Sequence, residues 1–277
     1  MVFFFKLRHY PITKIIVNYG IFIYLRQNFQ MALLHSFESD GNWLFKRRGQ
    51  IPVILFILAI PAVLYSNYSM ISPVKLRILD IAAIVVSFIG LIVRAYTIGT
   101  TPKGTSGRNT EQQVAEVLNS TGIYSIVRHP LYLGNFLMWI GIVMFTMNFY
   151  FVIIVSLAYW LYYERIMFAE ERFLEKKFGQ AYLDWSLKAP AFIPQFSNFV
   201  KSPVSFSFKS VLRREYSGVL ATVFGFVFVD ALRDYSVHHR YELNYTHLWI
   251  LGISLAITFI LRTLKHSTKL LSEEGRS

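Results

Sequence analysis

Residues 78–99 read ILDIAAIVVSFIGLIVRAYTIG, and this stretch decides the fold of the chain. Its charged side chains are Asp80, near the start, and Arg94, near the end. A helix needs about 20 predominantly apolar residues to cross a hydrocarbon core that is about 30 Å thick. The stretch therefore predicts a transmembrane helix, with Arg94 as a buried cation inside it.

The composition of the whole chain agrees with a membrane protein. Of its 277 residues, 54% are hydrophobic and 16% are charged, and the mean hydropathy is +0.42. Soluble domains average about 25% charged residues, so this chain has too little polar surface to cover a globule of its size. An ordinary soluble enzyme and a disordered chain are both excluded. The chain has no cysteine, which excludes disulfides, thiolate metal sites and a cysteine nucleophile.

Five more apolar stretches bring the number of predicted spans to six. They are residues 51–70, 131–147, 149–163, 216–232 and 246–262. Asn148 separates the third span from the fourth, which predicts a tight helical hairpin. Residues 12–37 are apolar but interrupted by polar side chains, which predicts an interfacial amphipathic helix. The predicted fold is an all-α polytopic bundle with both long loops on one side of the membrane.

The basic residues give an expected orientation. In this six-span arrangement 23 of the 28 lysines and arginines lie on one side of the membrane and four on the other. Because cytoplasmic loops of membrane proteins carry an excess of Lys and Arg, both termini are expected in the cytoplasm. The chain has a net charge of +12, and its lysines and arginines lie between the apolar runs. This pattern favours an anionic leaflet over a nucleic acid as the partner.

Two polar segments lie at the expected cytoplasmic ends of spans. The first, residues 122–135, reads GIYSIVRHPLYLGN. Pro130 suits the first position of a helix. It therefore places Arg128 and His129 beside the positive end of the helix dipole, where carboxylates and phosphates bind. Alternatively, Arg128 reaches lipid phosphate at the interface and His129 only caps the helix.

The second segment, residues 164–185, reads ERIMFAEERFLEKKFGQAYLDW. Its larger apolar residues recur at helical spacing and predict one apolar stripe on one helix: Leu174, Phe178, Tyr182 and Trp185. The adjacent Glu170 and Glu171 favour a cationic or hydroxyl-rich ligand, and a sulfonium nucleoside has both features. The alternative is a solvated amphipathic helix with surface ion pairs such as Arg172–Glu175.

Together these two segments resemble the integral-membrane methyltransferases of the isoprenylcysteine carboxyl methyltransferase and phospholipid methyltransferase superfamily. The shared pattern G-x-Y-x-x-x-R-H-P-x-Y-x-G corresponds to Gly122–Gly134 in this chain. A helical hairpin follows, then E-E-x-x-L-x-x-x-F-G-x-x-Y at Glu170–Tyr182, then a terminal proline, Pro194. The resemblance covers residues 122–194, about a quarter of the chain.

The resemblance implies S-adenosylmethionine as cofactor, in a pocket on the cytoplasmic side, and a lipid or lipidated acceptor that enters between spans. Carried over position by position, it assigns cofactor binding to Tyr124, Arg128, His129, Pro130, Tyr132, Glu170, Glu171 and Tyr182. Tyr182 and Pro194 would form part of a lid. Arg94 resembles the arginine that the family places before its cofactor loop, and would face the acceptor.

The same resemblance implies catalytic roles for Arg94, Arg128, His129 and Glu171. An arginine would hold an anionic acceptor, whereas an amine acceptor would need His129 or Glu171 as a base. Together with Lys103 and Arg108, the arginines favour an anionic head group, either a lipid phosphate or a prenylcysteine carboxylate. We predict no bound metal.

The resemblance also divides the chain. Residues 1–50 form an N-terminal interfacial region, 51–194 the methyltransferase core, 195–215 a cytoplasmic linker, and 216–277 a C-terminal transmembrane hairpin with a tail. Asp230, an ionisable residue inside the fifth span, is either a functional residue or the partner of Arg233, and the pair is the expected case.

Two other functions stay open. Membrane sterol-type reductases, which use NADPH, share a His-Pro-x-Tyr-x-Gly piece, but an acidic residue usually follows its glycine, where this chain has Asn135. A small non-enzymatic transporter would carry polar residues through several spans. This chain has chiefly Arg94 and Asp230 within its spans.

Overall fold

The computed structural model describes residues 32–50, 52–102, 113–240 and 244–276. Within these ranges the chain forms eight α-helices and no β-strand, so the all-α prediction is confirmed. The helices are α1 (32–47), α2 (Val53–Leu64), α3 (Pro73–Gly99), α4 (Pro130–Met144), α5 (Phe149–Phe178), α6 (Gln180–Ser186), α7 (Phe208–His238) and α8 (Tyr245–Ser267). The interfacial helix predicted over residues 12–37 lies mostly outside the described residues, and its last part belongs to α1.

Six apolar helices coincide with the six predicted spans. By length and composition α3, α5, α7 and α8 are able to cross a membrane, and α2 and α4 are shorter apolar helices. The hairpin is confirmed: the side chain of Asn148 accepts a hydrogen bond from the backbone N–H of Phe151 and so caps the start of α5. Pro130 occupies the first turn of α4, as predicted.

The second arm of the hairpin differs from the prediction. Helix α5 does not end near residue 163 but continues to Phe178, so the acidic pair lies on its extension. Gly179 then adopts a φ of 53°, a left-handed conformation that glycine tolerates, and α6 starts in a new direction. The single apolar stripe predicted over residues 174–185 is therefore wrong, because it is divided between two helices.

Glycines allow α3 and α4 to pack with their backbones in contact. A Cβ atom built on Gly90 would lie 2.6 Å from the carbonyl oxygen of Gly134. A Cβ atom on Gly141 would lie 2.5 Å from the carbonyl oxygen of Ala83. Small residues of this kind permit close helix approach in membranes. As a result the side chain of Arg94 on α3 lies directly against Gly134 on α4.

Helix α7 is joined to α3 by two ion pairs, one towards each end. Arg94 binds Glu215, with Nη2 2.6 Å from Oε1, and Arg233 binds Asp80, with Nη1 2.8 Å from Oδ1. The predicted Asp230–Arg233 pair is therefore wrong. Asp230 instead accepts from His247 of α8, at 2.9 Å. Helix α7 begins at Phe208, so residues 208–215 of the predicted linker are helical.

Candidate active site

The Arg-His-Pro segment is held in place by backbone hydrogen bonds to the residues that follow α6. The backbone N–H of Arg128 donates to the carbonyl oxygen of Pro190 at 2.8 Å, and that of His129 to Ala191 at 3.2 Å. The indole N–H of Trp185 donates to the carbonyl oxygen of Tyr124 at 2.9 Å. These bonds place the loop before α4 against α6 and the segment after it.

The side chain of Arg128 links α5 to the end of α6 and to the residues that follow it. Its Nε donates to Oε1 of Glu171 at 2.8 Å and its Nη2 to Oε2 at 3.3 Å. Its Nη1 donates to the carbonyl oxygens of Ser186 and Ala189 at 2.7 and 2.8 Å. Four of its five N–H groups are thus engaged within the protein. The guanidinium is consequently a rigid part of the wall.

His129 lies between the two adjacent glutamates and is buried, with 6% of its side chain exposed. Its Nε2 is 2.9 Å from Oε1 of Glu171, and its Nδ1 is 3.6 Å from Oε2 of Glu170. Burial alone would lower the pKa of His129, but the neighbouring carboxylates of Glu170 and Glu171 outweigh it and raise the pKa above its ordinary value of 6.5. The two carboxylates therefore favour the cationic form of the ring.

The two glutamates point in different directions, because successive residues of a helix are about 100° apart. The carboxylate of Glu171 is shared by Arg128 and His129 behind the cavity wall. The carboxylate of Glu170 lines the cavity and accepts a hydrogen bond from the hydroxyl of Tyr132 at 2.7 Å. Glu171 thus holds Arg128 and His129 in place, and Glu170 offers a hydrogen-bond acceptor to a ligand in the cavity.

A cavity of about 580 Å³ opens in front of these residues. Near the start of α4 its lining is polar, with Tyr124, Arg128, His129 and Glu170, and we call this part the polar end. Trp139 lies further along α4 and, with Phe56 and Ala221, belongs to the part that we call the apolar end. This volume lies within the range of volumes found for small-molecule binding sites, which are lined mostly by apolar side chains with a few polar groups.

The structure brings most of the predicted site residues together. Those that line the cavity are Arg94, Tyr124, Arg128, His129, Pro130, Tyr132 and Glu170. Glu171 lies behind them with Tyr182, which is buried beside it. Burial and the Glu171 charge raise the pKa of Tyr182, so its hydroxyl stays protonated. Lys103 and Arg108, expected near an anionic head group, lie outside the described residues.

The sequence analysis missed the contribution of α7 and of the first helices. Arg48 at the end of α1, Asn135 on α4, and Arg214 and Glu215 on α7 all line the cavity. Glu215 stands in the sequence beside basic residues, in a stretch interpreted as a linker, so nothing local marked it. Its role follows only from the long-range pair with Arg94.

Comparison with known proteins agrees with this arrangement. Residues 79–181 match the family model described as phospholipid methyltransferase. The resemblance to the membrane methyltransferase superfamily is confirmed. The matched range runs from within α3 to the start of α6 and contains Arg94, the Arg-His-Pro segment and the glutamate pair. With its apolar helices, the chain is an integral membrane protein.

Individual relatives also match only a part of this chain. The chain is 36% identical over 78 residues to the protein-S-isoprenylcysteine O-methyltransferase of Schizosaccharomyces pombe, covering 28% of this chain and 33% of that protein. It is 34% identical over 94 residues to the nickel-cobalt-cadmium resistance protein NccN of Alcaligenes xylosoxydans xylosoxydans, covering 34% and 41%. It is 32% identical over 85 residues to the protein-S-isoprenylcysteine O-methyltransferase of Saccharomyces cerevisiae, covering 31% and 36%.

The chain thus spans about a third to two-fifths of the length of these relatives. No solved structure matches it significantly. Helix α2, helix α7 and helix α8 lie outside the range that matches the family model.

Proposed function

We propose that this protein transfers a methyl group from S-adenosylmethionine to an anionic oxygen of a membrane lipid or lipidated acceptor. The observation that carries the proposal is the Glu170 carboxylate. It lies at the polar end of a cavity that continues to an apolar end between membrane helices. A single cavity with these two ends suits a polar cofactor and an acceptor with a hydrocarbon chain.

The residues at the polar end fit the cofactor. Oε1 of Glu170 already accepts from Tyr132, whereas Oε2 is 3.6 Å from His129, beyond hydrogen-bond distance. Oε2 is therefore suited to accept from a ribose hydroxyl or an ammonium group. Tyr124, His129, Tyr132 and Glu170 would hold the cofactor. When bound, S-adenosylmethionine supplies an electrophilic methyl group on a sulfonium centre.

The side chains around the site favour an acceptor that needs no deprotonation. The carboxylates on both sides of His129 raise its pKa and so favour its protonated form, and the Glu171 carboxylate is bound by Arg128 and His129. Neither residue is placed to act as a base. A carboxylate or a phosphate oxygen is nucleophilic without one, whereas an ammonium head group is not. Catalysis would then consist of alignment of the two reactants and exclusion of water.

The apolar end of the cavity accounts for the hydrocarbon part of the acceptor. Val53 and Phe56 on α2, Trp139 on α4 and Ala221 on α7 line this end. Arg94 lies between the two ends and would hold the anionic oxygen near the methyl group. The similarity to isoprenylcysteine methyltransferases supports a prenylcysteine carboxylate as the first acceptor to test. A lipid phosphate shares the same charge and the same tail chemistry.

Equilibrium binding tests the proposal directly. Purified protein in detergent is titrated with S-adenosylmethionine, and separately with NADPH. We expect saturable binding of the first and none of the second. Glu170→Gln should weaken cofactor binding about tenfold, since a charge-assisted acceptor is lost. Asp184→Asn is the matched control, because Asp184 is exposed and contacts only Gln180 among the contacts described for it. Binding of NADPH alone would identify a reductase, and binding of neither would favour a non-enzymatic protein.

A further inference from the structure

The carboxylate of Glu215 on α7 is bound side-on by the guanidinium of Arg94 on α3. Nε of Arg94 donates to Oε2 at 2.7 Å and Nη2 donates to Oε1 at 2.6 Å. The pair is largely removed from solvent, with 5% of the Glu215 side chain and 17% of the Arg94 side chain exposed. Paired, parallel bonds of this kind fix the guanidinium plane as well as its position.

Arg94 retains hydrogen-bonding capacity towards the cavity. A guanidinium has five N–H groups. Two donate to Glu215, and one on Nη1 donates to Oδ1 of Asn135. Within the described part of the chain, one N–H on Nη1 and one on Nη2 have no hydrogen-bond partner, and both Arg94 and Glu215 line the cavity. The pair therefore offers directed donors while the charge of Arg94 is matched by a carboxylate.

Helix α7 supplies a wall of the cavity that the family resemblance does not include. Arg214, Ser217, Gly218 and Ala221 line the cavity alongside Glu215. All of them lie beyond residue 181, where the match to the family model ends. Helix α7 of the C-terminal hairpin is thus part of the site.

We infer that Glu215 is a positioning residue that orients Arg94 towards the acceptor oxygen and tunes the site to an acceptor with a single negative charge. This inference rests on the proposed methyl transfer. With the Arg94 charge matched, a carboxylate finds two N–H donors. A phosphate monoester brings a second negative charge, and the neutral Arg94–Glu215 pair offers no net positive charge to match it. Without Glu215, Arg94 would be an unmatched buried cation, and its charge would favour the dianionic phosphate monoester. Its guanidinium would also be free to turn away from the acceptor oxygen.

The test compares two acceptors with the same tail, N-acetyl-S-farnesylcysteine and farnesyl monophosphate. The variants are Glu215→Gln, Glu215→Asp and Asp80→Asn. The last is a matched control, because Asp80–Arg233 joins the same two helices and neither residue lines the cavity. For each protein the cofactor Kd, the acceptor KM and kcat, and the Kd of both probes with S-adenosylhomocysteine bound are measured.

We expect Glu215→Gln to leave the cofactor Kd within about twofold. It should lower kcat/KM for the farnesylcysteine about tenfold or more and shift the ratio of probe affinities towards the monophosphate. Glu215→Asp should recover part of the loss, and Asp80→Asn should leave the ratio unchanged. Equal effects of Glu215→Gln and Asp80→Asn, an unchanged affinity ratio, or no binding of either probe to the wild type would overturn the inference. If the wild-type protein does not bind the cofactor, the proposed function itself fails.

Discussion

Nε2 of His129 lies 2.9 Å from Oε1 of Glu171, and the two residues come from opposite arms of the helical hairpin. His129 immediately precedes α4, and Glu171 lies on the extension of α5 beyond the apolar part. The same carboxylate oxygen accepts from Nε of Arg128. One carboxylate thus anchors both cations of the Arg-His-Pro segment, so the geometry of the polar end depends on it.

Replacement of this carboxylate should weaken cofactor binding although Glu171 does not line the cavity. Glu171→Gln removes the negative charge shared by Arg128 and His129. It leaves Arg128 without its carboxylate partner and His129 with Glu170 alone, and we expect the Kd for S-adenosylmethionine to rise about tenfold or more. Isothermal titration in detergent measures this change.

Glu175→Gln is the control for that substitution. Glu175 lies one turn further along α5 and pairs with Arg172 at 2.6 Å, with 36% of its side chain exposed. Exposed pairs of this kind contribute little, so the Kd should change less than about twofold. Similar losses in the two variants would contradict the organising role of Glu171.

The raised pKa of His129 predicts a decline of stability in alkaline solution. Because the folded state binds the proton more tightly than the unfolded state, the stabilisation is complete below about pH 6.5 and is lost as the pH rises through the folded pKa. The unfolding temperature in detergent should therefore fall as the pH is raised above about 6.5. In His129→Gln, which has no such proton, the profile should be flatter over the same range. A wild-type profile parallel to that of the variant would refute the assignment.

The close approach of α3 and α4 predicts a large effect of one methyl group. In Gly134→Ala the new Cβ would lie 2.5 Å from Cγ of Arg94 and 3.0 Å from the carbonyl oxygen of Gly90. We expect destabilisation of about 1–3 kcal/mol and a loss of methyl transfer, because Arg94 is displaced. Thermal unfolding and turnover are measured on the same preparation.

Gly252→Ala is the matched control on α8. A Cβ atom at Gly252 would meet no atom within 4 Å, and alanine favours a helix over glycine by about 0.5–1 kcal/mol. This variant should be as stable as the wild type or slightly more so. A comparable loss of stability in both variants would exclude close packing at Gly134 as the cause.

The proposed orientation is open to chemical labelling, since the chain has no cysteine of its own. Single substitutions Ser69→Cys and Ser197→Cys place a thiol at exposed positions on opposite sides of the predicted membrane. A membrane-impermeant maleimide should label Ser69→Cys in intact cells and Ser197→Cys only after permeabilisation. The reverse result would invert the proposed orientation.

Features that depend on neighbouring residues could be predicted from the sequence. The apolar runs predicted the six apolar helices, four of which are long enough to cross a membrane. Asn148 predicted the hairpin, and the Arg172–Glu175 pair was recognised from its spacing and is present at 2.6 Å. The helix predicted to follow residue 163 is present as the continuation of α5 to Phe178. Its continuity with the span was not predicted, because the polar side chains after residue 163 were interpreted as the end of the span. A helix is able to carry such side chains once it has left the hydrocarbon.

Features that depend on distant residues could not be predicted in the same way. Gly179 was a usable local signal, since glycine commonly ends a helix, but the apolar spacing across it outweighed that signal. The partners of Asp230 and Arg233 lie on other helices, and an adjacent opposite charge is a poor guide to them. Glu215 had no local signal, because its partner is 121 residues away in the chain.

Because Arg94 and Glu215 lie 121 residues apart in the sequence, their ion pair is expected to form late in the synthesis of the chain. A chain that grows from its N-terminus delivers α3 to the membrane long before the carboxylate on α7 has been synthesised. Of the side-chain hydrogen bonds described for Arg94 in the folded chain, the one to Asn135 is the only one whose partner precedes α7 in the sequence, so we expect the charge of Arg94 to be matched only when α7 inserts. We therefore expect the cavity to be completed late in synthesis, so that a nascent chain that stops before α7 carries the matched motif without the α7 wall of the cavity.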